Sequence, residues 1–262
     1  MSGIRYVLLD PTGNLTCLVT DPVKEEDRAG VTTALMDRCE QVGYLMPPRD
    51  PRAAVRLQMM GGEFCGNASM ATAAYLAERD GAVTGDEREI PLEVSGAEGL
   101  VTCRVRRTED GWDGSAEMPL PLGTEDAVIR GKKLTAVRMP GMTHLILDGE
   151  TDAAEAEAVL REAAEIYDDP ALGLLQWREA EGRMTPLVWV RGSGTTVWEN
   201  ACGSGTAALA CRKSLAEKRS AAVSAAQPGG VLRAEAEYRD GGIRRVILHG
   251  HVRIGETGTV SP

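Results

Sequence analysis

Aromatic residues are scarce in this chain of 262 residues: one Phe, four Trp and five Tyr. A core of large rings is excluded, so aliphatic and small side chains must fill the interior. Histidine is rarer still, at three, and the six cysteines (Cys17, Cys39, Cys65, Cys103, Cys202 and Cys211) include no CxxC pair. That usage lacks the spacing of a zinc site or of a dithiol redox motif, and it fits free thiols in a reducing cytoplasm. No run approaches the ~18 apolar residues of a membrane-spanning helix. The N-terminal Met1-Ser2-Gly3-Ile4-Arg5 leads straight into strand-like sequence with no signal-peptide core. Basic residues are also in deficit, 29 against 39 acidic, for a net charge of -10. Nucleic acid and anionic membrane surfaces favour the opposite sign. The composition therefore predicts a cytoplasmic globular protein whose partner is a small molecule, with neither nucleic acid nor membrane.

Glycine is abundant, at 30 residues, and the apolar fraction of 43% is enough for a core. The length suits two domains of about 130 residues each, and the order of elements repeats by halves. In the first half, strand-like Ile4 to Leu9 and Leu15 to Thr20 flank the turn Pro11-Thr12-Gly13-Asn14. A helical pattern follows from Glu25 to Arg38, with Val31, Ala34 and Leu35 on its apolar face. An extended segment at Val55 to Gln58 then leads through Gly61-Gly62-Glu63-Phe64-Cys65-Gly66-Asn67 into a helix over about Ala68 to Glu78. Strand-like Ile90 to Val94 and Leu100 to Val105 complete this half. In the second half, Lys133 to Val137 and Leu145 to Leu147 flank Pro140-Gly141-Met142-Thr143. A helix over Asp152 to Ile166 follows. Extended Leu187 to Val190 and Thr195 to Trp198 then precede Glu199-Asn200-Ala201-Cys202-Gly203-Ser204-Gly205 and a helix over about Thr206 to Leu215. Val231 to Tyr238, Arg244 to Leu248 and His251 to Ile254 read as closing strands. The two Cys-Gly sites, the opening strands and the first helices are each offset by about half the chain, which argues for a duplicated unit. The halves are 1–122 and 123–262, with a last strand able to cross back to the first.

Both helices that follow a Cys-Gly are small-sided and apolar all round: Ala68-Ser69-Met70-Ala71-Thr72-Ala73-Ala74, and Thr206-Ala207-Ala208-Leu209-Ala210. Such helices are normally buried, which leaves their first N–H groups in need of partners; a carboxylate suits them. A cysteine at that position sits at the positive end of the helix, which lowers a thiol pKa, and the adjacent glycine lets a ligand approach the backbone closely. Two such cysteines, one per half, suit acid–base chemistry on both faces of one carbon, with inversion. A single cysteine at a helix start is commonly a small buried hydrophobe. Cys17, Cys39, Cys103 and Cys211 lack the motif and read as core thiols.

Phe64-Cys65-Gly66-Asn67-Ala68 and Ala201-Cys202-Gly203-Ser204-Gly205-Thr206-Ala207 resemble the two signatures of the diaminopimelate epimerase family, whose members invert amino acids without pyridoxal phosphate. Gly13-Asn14, Glu40-Gln41, Thr143-His144, Pro228-Gly229-Gly230 and Gly250-His251-Val252 extend the resemblance along the chain. It implies an α/β (α+β) fold of two pseudo-symmetric domains, each a curved, mostly antiparallel sheet around a central helix, with the site in the cleft between them. It also implies an isomerase with no cofactor and no metal. Cys65 and Cys202 resemble the catalytic pair; backbone groups at Gly66, Asn67, Gly203 and Ser204 match those that hold the α-carboxylate. Asn14 and Gln41 match positions near the substrate.

The departures concern the substrate side chain. The family's Glu-Arg pair that grips the distal end of diaminopimelate is absent. Val197-Trp198-Glu199-Asn200 has no Arg beside the acid, and Arg191 follows Val190. Asparagines are replaced near Met142 and near Gly173-Leu174-Leu175. A distal carboxylate needs a cationic partner, so diaminopimelate fits poorly. With Cys39-Glu40-Gln41-Val42-Gly43, Trp198-Glu199-Asn200 and Gln227-Pro228-Gly229-Gly230, the chain is more similar to the family's histidine racemases, which make D-histidine for opine metallophores. Glu40 and Glu199 then read as acceptors for an imidazole or the α-ammonium, although either acid also fits an ordinary capping or solvent-facing role. Met59, Met142 and Leu174 are candidates for the pocket's apolar wall, and His144 reads as architecture rather than as a proton carrier. His249 and His251 lack a third metal ligand, and Arg191-Gly192-Ser193-Gly194 lacks a nucleotide fingerprint. The rival readings are a racemase of another amino acid, diaminopimelate included, and a non-catalytic amino-acid-binding protein. A homodimer is expected on base rates alone.

Overall fold

A computed structural model describes residues 3–261. The chain divides into two compact units, one formed by residues 1–117 together with 249–262, the other by 118–248.

Unit 1 begins with a hairpin in which β1 (Ile4–Pro11) pairs antiparallel with β2 (Thr16–Val19). Thr12 and Gly13 both take positive φ at its turn, as the sequence Pro-Thr-Gly-Asn allows. A 3-10 turn, Glu25–Asp27, and the short helix α1 (Arg28–Leu35) lead to β3 (Gln41–Met46), which lies parallel to β2. β4 (Val55–Met59) pairs antiparallel with β3, and the helix α2 (Gly66–Arg79) carries the chain over to β5 (Glu87–Val94), parallel to β4. The antiparallel strands β6 (Leu100–Arg107) and β7 (Trp112–Met118) follow.

Unit 2 adds one strand in front, β8 (Gly123–Ile129), and then repeats the scheme. β9 (Lys132–Met139) and β10 (Met142–Asp148) form the hairpin, and α3 (Ala153–Ile166) crosses to β11 (Ala171–Arg178), parallel to β10. β12 (Arg183–Val190) is antiparallel to β11, with the short β13 (Thr195–Trp198) against it. The helix α4 (Gly203–Glu217) crosses to β14 (Ala221–Gln227), which touches β12 in parallel and pairs antiparallel with β15 (Gly230–Arg239). The last strand, β16 (Gly242–Val260), is hydrogen-bonded to β15 and then pairs antiparallel with β1. Each unit thus has the same succession: hairpin, helical crossover to a parallel strand, antiparallel return, second helical crossover, antiparallel strands. This is the predicted pseudo-symmetric α/β fold.

The expected positions of α2 and α4 hold, because small residues on all faces suit a helix enclosed by strands. α2 is buried from Gly66 to Ala74 without a break, and α4 from Gly205 to Cys211. The other helix of each unit packs against the opposite face of its sheet. Val31 and Leu35 of α1 join Tyr6, Val42 and Tyr44, while Ala156, Val159, Leu160 and Ala163 of α3 join Leu145, Leu172, Leu174 and Leu187. α1 is shorter than the periodicity over Glu25 to Arg38 implies, since its first turn is 3-10 and it stops at Leu35. The segments read as separate strands at Arg244 to Leu248 and His251 to Ile254 are one strand of 19 residues, with Gly250 inside it.

Gly96 supports the loop that delivers Cys65. At φ +72°, an added Cβ would strike the backbone of Glu63 and Phe64, whereas Gly81, at φ +79°, faces open space. Gly96→Ala should therefore cost about 1–3 kcal/mol more unfolding free energy than Gly81→Ala, measured by urea denaturation of the two variants side by side.

Candidate active site

In unit 1 the parallel register of β2 and β3 sets Thr16 opposite Gln41. The starts of both strands, carrying Asn14 and Glu40, thereby come together; the Leu15 carbonyl accepts the N–H groups of Glu40 and Gln41 at 2.9 and 3.3 Å. From there a chain of hydrogen bonds runs to Cys65. Asn14 Nδ2 donates to Glu40 Oε2 at 2.8 Å, and Gln41 Nε2 donates to Asn14 Oδ1 at 2.6 Å and to Thr16 Oγ1 at 2.8 Å. The Cys65 thiol then donates to Gln41 Oε1 at 3.3 Å. Cys65 is the N-cap of α2: its extended backbone turns into the helix, and Sγ accepts the Ala68 N–H at 3.4 Å. Four residues singled out in the sequence, Asn14, Glu40, Gln41 and Cys65, are thus joined in one network. Cys65 is half-buried, unlike the other five cysteines, which are buried; all six are free thiols. Gly66 and Asn67 occupy the first two positions of the helix, where N–H groups have no intrahelical acceptor.

Unit 2 builds the same helix start with other side chains. Cys202 is the N-cap of α4 in the same extended conformation, followed by Gly203 and Ser204. Thr206 Oγ1 donates to the Cys202 carbonyl at 2.8 Å, as Ser69 Oγ does to that of Cys65 at 2.7 Å. Gln227 locks the turn: its Oε1 accepts the Cys202 N–H at 2.7 Å and its Nε2 donates to Thr206 Oγ1 at 3.0 Å. The Gln-Pro-Gly-Gly motif therefore orders the cysteine's backbone, and the Gly229 N–H donates to the Asn200 carbonyl at 2.8 Å.

The helix start does not govern the Cys202 thiol. Burial, reinforced by the charge and hydrogen bond of Glu199, raises it well above the ordinary thiol range, against smaller contributions from Ser204 and the Gly205 N–H. Sequence reasoning weighed the helix field and missed the desolvation that outweighs it here. The remaining thiols are core groups, as expected. Burial raises Cys211 to about 12 and Cys103 higher still, and Cys17 is hydrogen-bonded to Cys39.

His144 is fully buried, and its Nε2 lies 2.9 Å from Ser204 Oγ. Ser204 Oγ in turn is 3.6 Å from Cys202 Sγ and 3.7 Å from Met142 Sδ. His144 Nδ1 has no hydrogen-bond partner and faces Gly173, where any Cβ would collide with the ring. The tautomer that strands no donor keeps its proton on Nε2, so the imidazole donates to Ser204 and leaves the Ser204 hydroxyl free to donate to a sulfur. The apolar wall also needs a correction. Leu174 joins the core around α3. The following residue, Leu175, projects to the other side of the strand and packs on Gly205 beside Cys202, as the two-residue period of a strand requires.

Arg191, which has Val190 rather than an acid before it, is occupied elsewhere. Its guanidinium donates to the carbonyls of Ala164, Tyr167 and Asp169 and stacks on Trp189 at 4.9 Å. It caps the end of α3, a favourable place for a cation. Among the described residues no group of three or more His, Cys, Asp or Glu side chains is arranged to hold a metal ion. No helix among them is long and apolar enough to cross a membrane.

Two repeats of one α/β scaffold, each starting its buried helix on Cys-Gly, define the class of racemases and epimerases that work without pyridoxal phosphate. Residues 3–261 match the family described as "Histidine racemase CntK N-terminal domain". A histidine racemase of Fusobacterium nucleatum subsp. nucleatum is 27% identical over 268 residues, which covers 97% of each protein. Among solved structures, a predicted epimerase from Pseudomonas aeruginosa superposes with a TM-score of 0.73 at 19% identity, covering 99% of both chains. A phenazine biosynthesis protein of the PhzF family from Bacillus anthracis gives 0.72 at 12% identity over 100% of both. The chain belongs to the histidine racemase family and is a pyridoxal-phosphate-independent isomerase of amino acids.

Burial holds His144 to a pKa of about 3, so it is neutral in the folded protein where an unfolded histidine, near 6.5, takes up a proton. The unfolded state binds more protons between these values, and stability falls as pH drops from about 6.5 towards 3. Urea unfolding from pH 7 to 4 should show His144→Gln losing stability less steeply than the parent, by up to about 1.4 kcal/mol per pH unit.

Proposed function

We propose that the chain interconverts L- and D-histidine, with Cys65 and Cys202 as the two acid–base groups acting on one α-carbon. The observation that carries this reading is the repeated helix start: two cysteines in the same N-cap conformation, each followed by glycine and each backed by a carboxylate, Glu40 through two amides and Glu199 directly. The first-turn N–H groups at Gly66, Asn67, Gly203 and Ser204 hold the substrate carboxylate. They stabilise the enolate-like charge that develops when the α-proton leaves. One cysteine removes that proton as a thiolate while the other delivers its own to the opposite face, and the roles exchange in the reverse direction. Cys202, held as a thiol by burial and Glu199, suits the donor; Cys65 is then the base. The helix dipole and the Ala68 N–H receive negative charge on its sulfur.

Histidine as the substrate is supported by the two acids. An imidazole and an α-ammonium both present donors to a carboxylate, whereas the distal amino-acid group of diaminopimelate calls for a cation, and Arg191 is engaged at the end of α3. The name of the Fusobacterium relative points the same way. Asn14 and Gln41 border the substrate at Cys65. Two reduced thiols are required, which suits a reducing cytoplasm.

The test is α-proton exchange in D2O, followed by NMR for each enantiomer of a panel of amino acids that includes histidine and diaminopimelate, with a reductant present. Histidine should lose its α-proton signal and appear as the other enantiomer on a chiral column. Exchange with another amino acid and none with histidine would remove the substrate assignment; no exchange with any would remove the racemase reading for this site. Cys65→Ser and Cys202→Ser should each lower racemisation by about 10²–10⁴-fold, and full activity in either would contradict the two-cysteine pairing.

A further inference from the structure

The hydrogen bonds behind Cys65 have a direction. A carboxylate oxygen accepts and cannot donate, so Glu40 compels Asn14 to turn its amino group towards it. Asn14 then offers only its carbonyl to Gln41, which must answer with its amino group. A second anchor acts from the other side. Thr16 has a single hydroxyl proton and donates it to the main-chain carbonyl of Asn14 at 3.1 Å, so its oxygen accepts from Gln41 as well. Both N–H bonds of the Gln41 amide are thereby used, and only its carbonyl is left to face Cys65 Sγ. Reversing that amide would set carbonyl against carbonyl at Asn14.

We propose that Glu40 is a positioning residue for Cys65, acting through Asn14 and Gln41 to keep a carbonyl acceptor against the thiol. The role assigned to Glu40 from the sequence, accepting a hydrogen bond from substrate, leaves this one untouched: one carboxylate oxygen serves the relay. The functional logic rests on the reading of Cys65 as an acid–base group. An acceptor at 3.3 Å stabilises the thiol and opposes the thiolate, so the thiolate that forms there is a stronger base towards an α-proton. Without the relay only Thr16 still holds the Gln41 amino group; the amide turns that group to the sulfur more readily, and the thiolate becomes easier to form and weaker.

The test reads the thiol directly and needs no turnover, so its failure and the failure of the racemase reading are separable. Cys65 is half-buried while the other cysteines are buried, and iodoacetamide modification of the folded protein can be followed on the Cys65 peptide by mass spectrometry from pH 6 to 10. Glu40→Gln and Asn14→Ala should each shift the midpoint of the Cys65 profile down by about one pH unit, which is about ten-fold faster modification below the midpoint. Asn14→Ala keeps the Glu40 charge and cuts the relay. A shift in Glu40→Gln with none in Asn14→Ala would mean that the charge acts through space, and would overturn the relay. No shift in either, or an upward shift, would overturn it as well. Circular dichroism spectra matching the parent confirm that each variant is folded, and Gln41→Leu, which removes the acceptor itself, supplies a third variant expected to shift the same way.

Discussion

A helix that begins in the interior of a protein leaves its first N–H groups without acceptors, and burial denies them water. Both central helices here begin in that way, and much of the surrounding sequence answers this constraint. Ser69 and Thr206 tie the capping carbonyls, Gln227 fastens the Cys202 N–H, and the Cys65 sulfur accepts the Ala68 N–H as a capping oxygen ordinarily would. The first turn of each helix presents a short row of backbone donors beside a thiol. Such a row supplies electrostatic stabilisation for an anion without reorganisation, because its orientation is fixed by the helix itself. The small side chains of α2 and α4 are a requirement of the same design: bulkier residues would hold the strands off and let water in.

The two units share a scaffold and differ in what they place behind the cysteine. In unit 1 the first parallel strand pair brings an amide network to Cys65; in unit 2 the equivalent pair brings a neutral imidazole to Ser204, beside Cys202. Glycine at position 173 makes the second arrangement possible, since the imidazole occupies the volume a side chain would take. Duplication thus preserved the backbone geometry of the helix starts, while the groups that tune each thiol diverged. The surroundings of the two thiols are therefore unequal.

Much of this was legible in the sequence. The duplication showed as order and spacing, and the central helices as runs without a polar face. The Cys-Gly motif occurs twice, and Asn14, Glu40 and Gln41, expected from the sequence to bind substrate, lie in one hydrogen-bond network with Cys65. What could not be read depended on tertiary proximity. The raised thiol of Cys202 arises from burial and from Glu199, and periodicity carries no measure of desolvation. The parallel pairing of β2 with β3, which joins Asn14 to Gln41, is invisible locally because the strand Gln41–Met46 is short and includes a glycine. Leu174 and Leu175 are adjacent and chemically alike, so only the pleat decides which one reaches Gly205. Glycine usually weakens a strand, yet Gly250 lies inside β16, where pairing on either side overrides that preference.

That uninterrupted β16 couples the units in time. Its first residues complete the sheet of unit 2, and its last residues pair with β1, the strand made first. During synthesis, β1 waits for its partner while the whole of unit 2 is translated, on the order of ten seconds at ~5–20 residues per second. Throughout that interval the edge of β1 lacks the strand that will cover it, and an open edge invites pairing with other chains. The first unit is therefore completed only after the second, and the edge of β1 stays open to misassembly until β16 emerges.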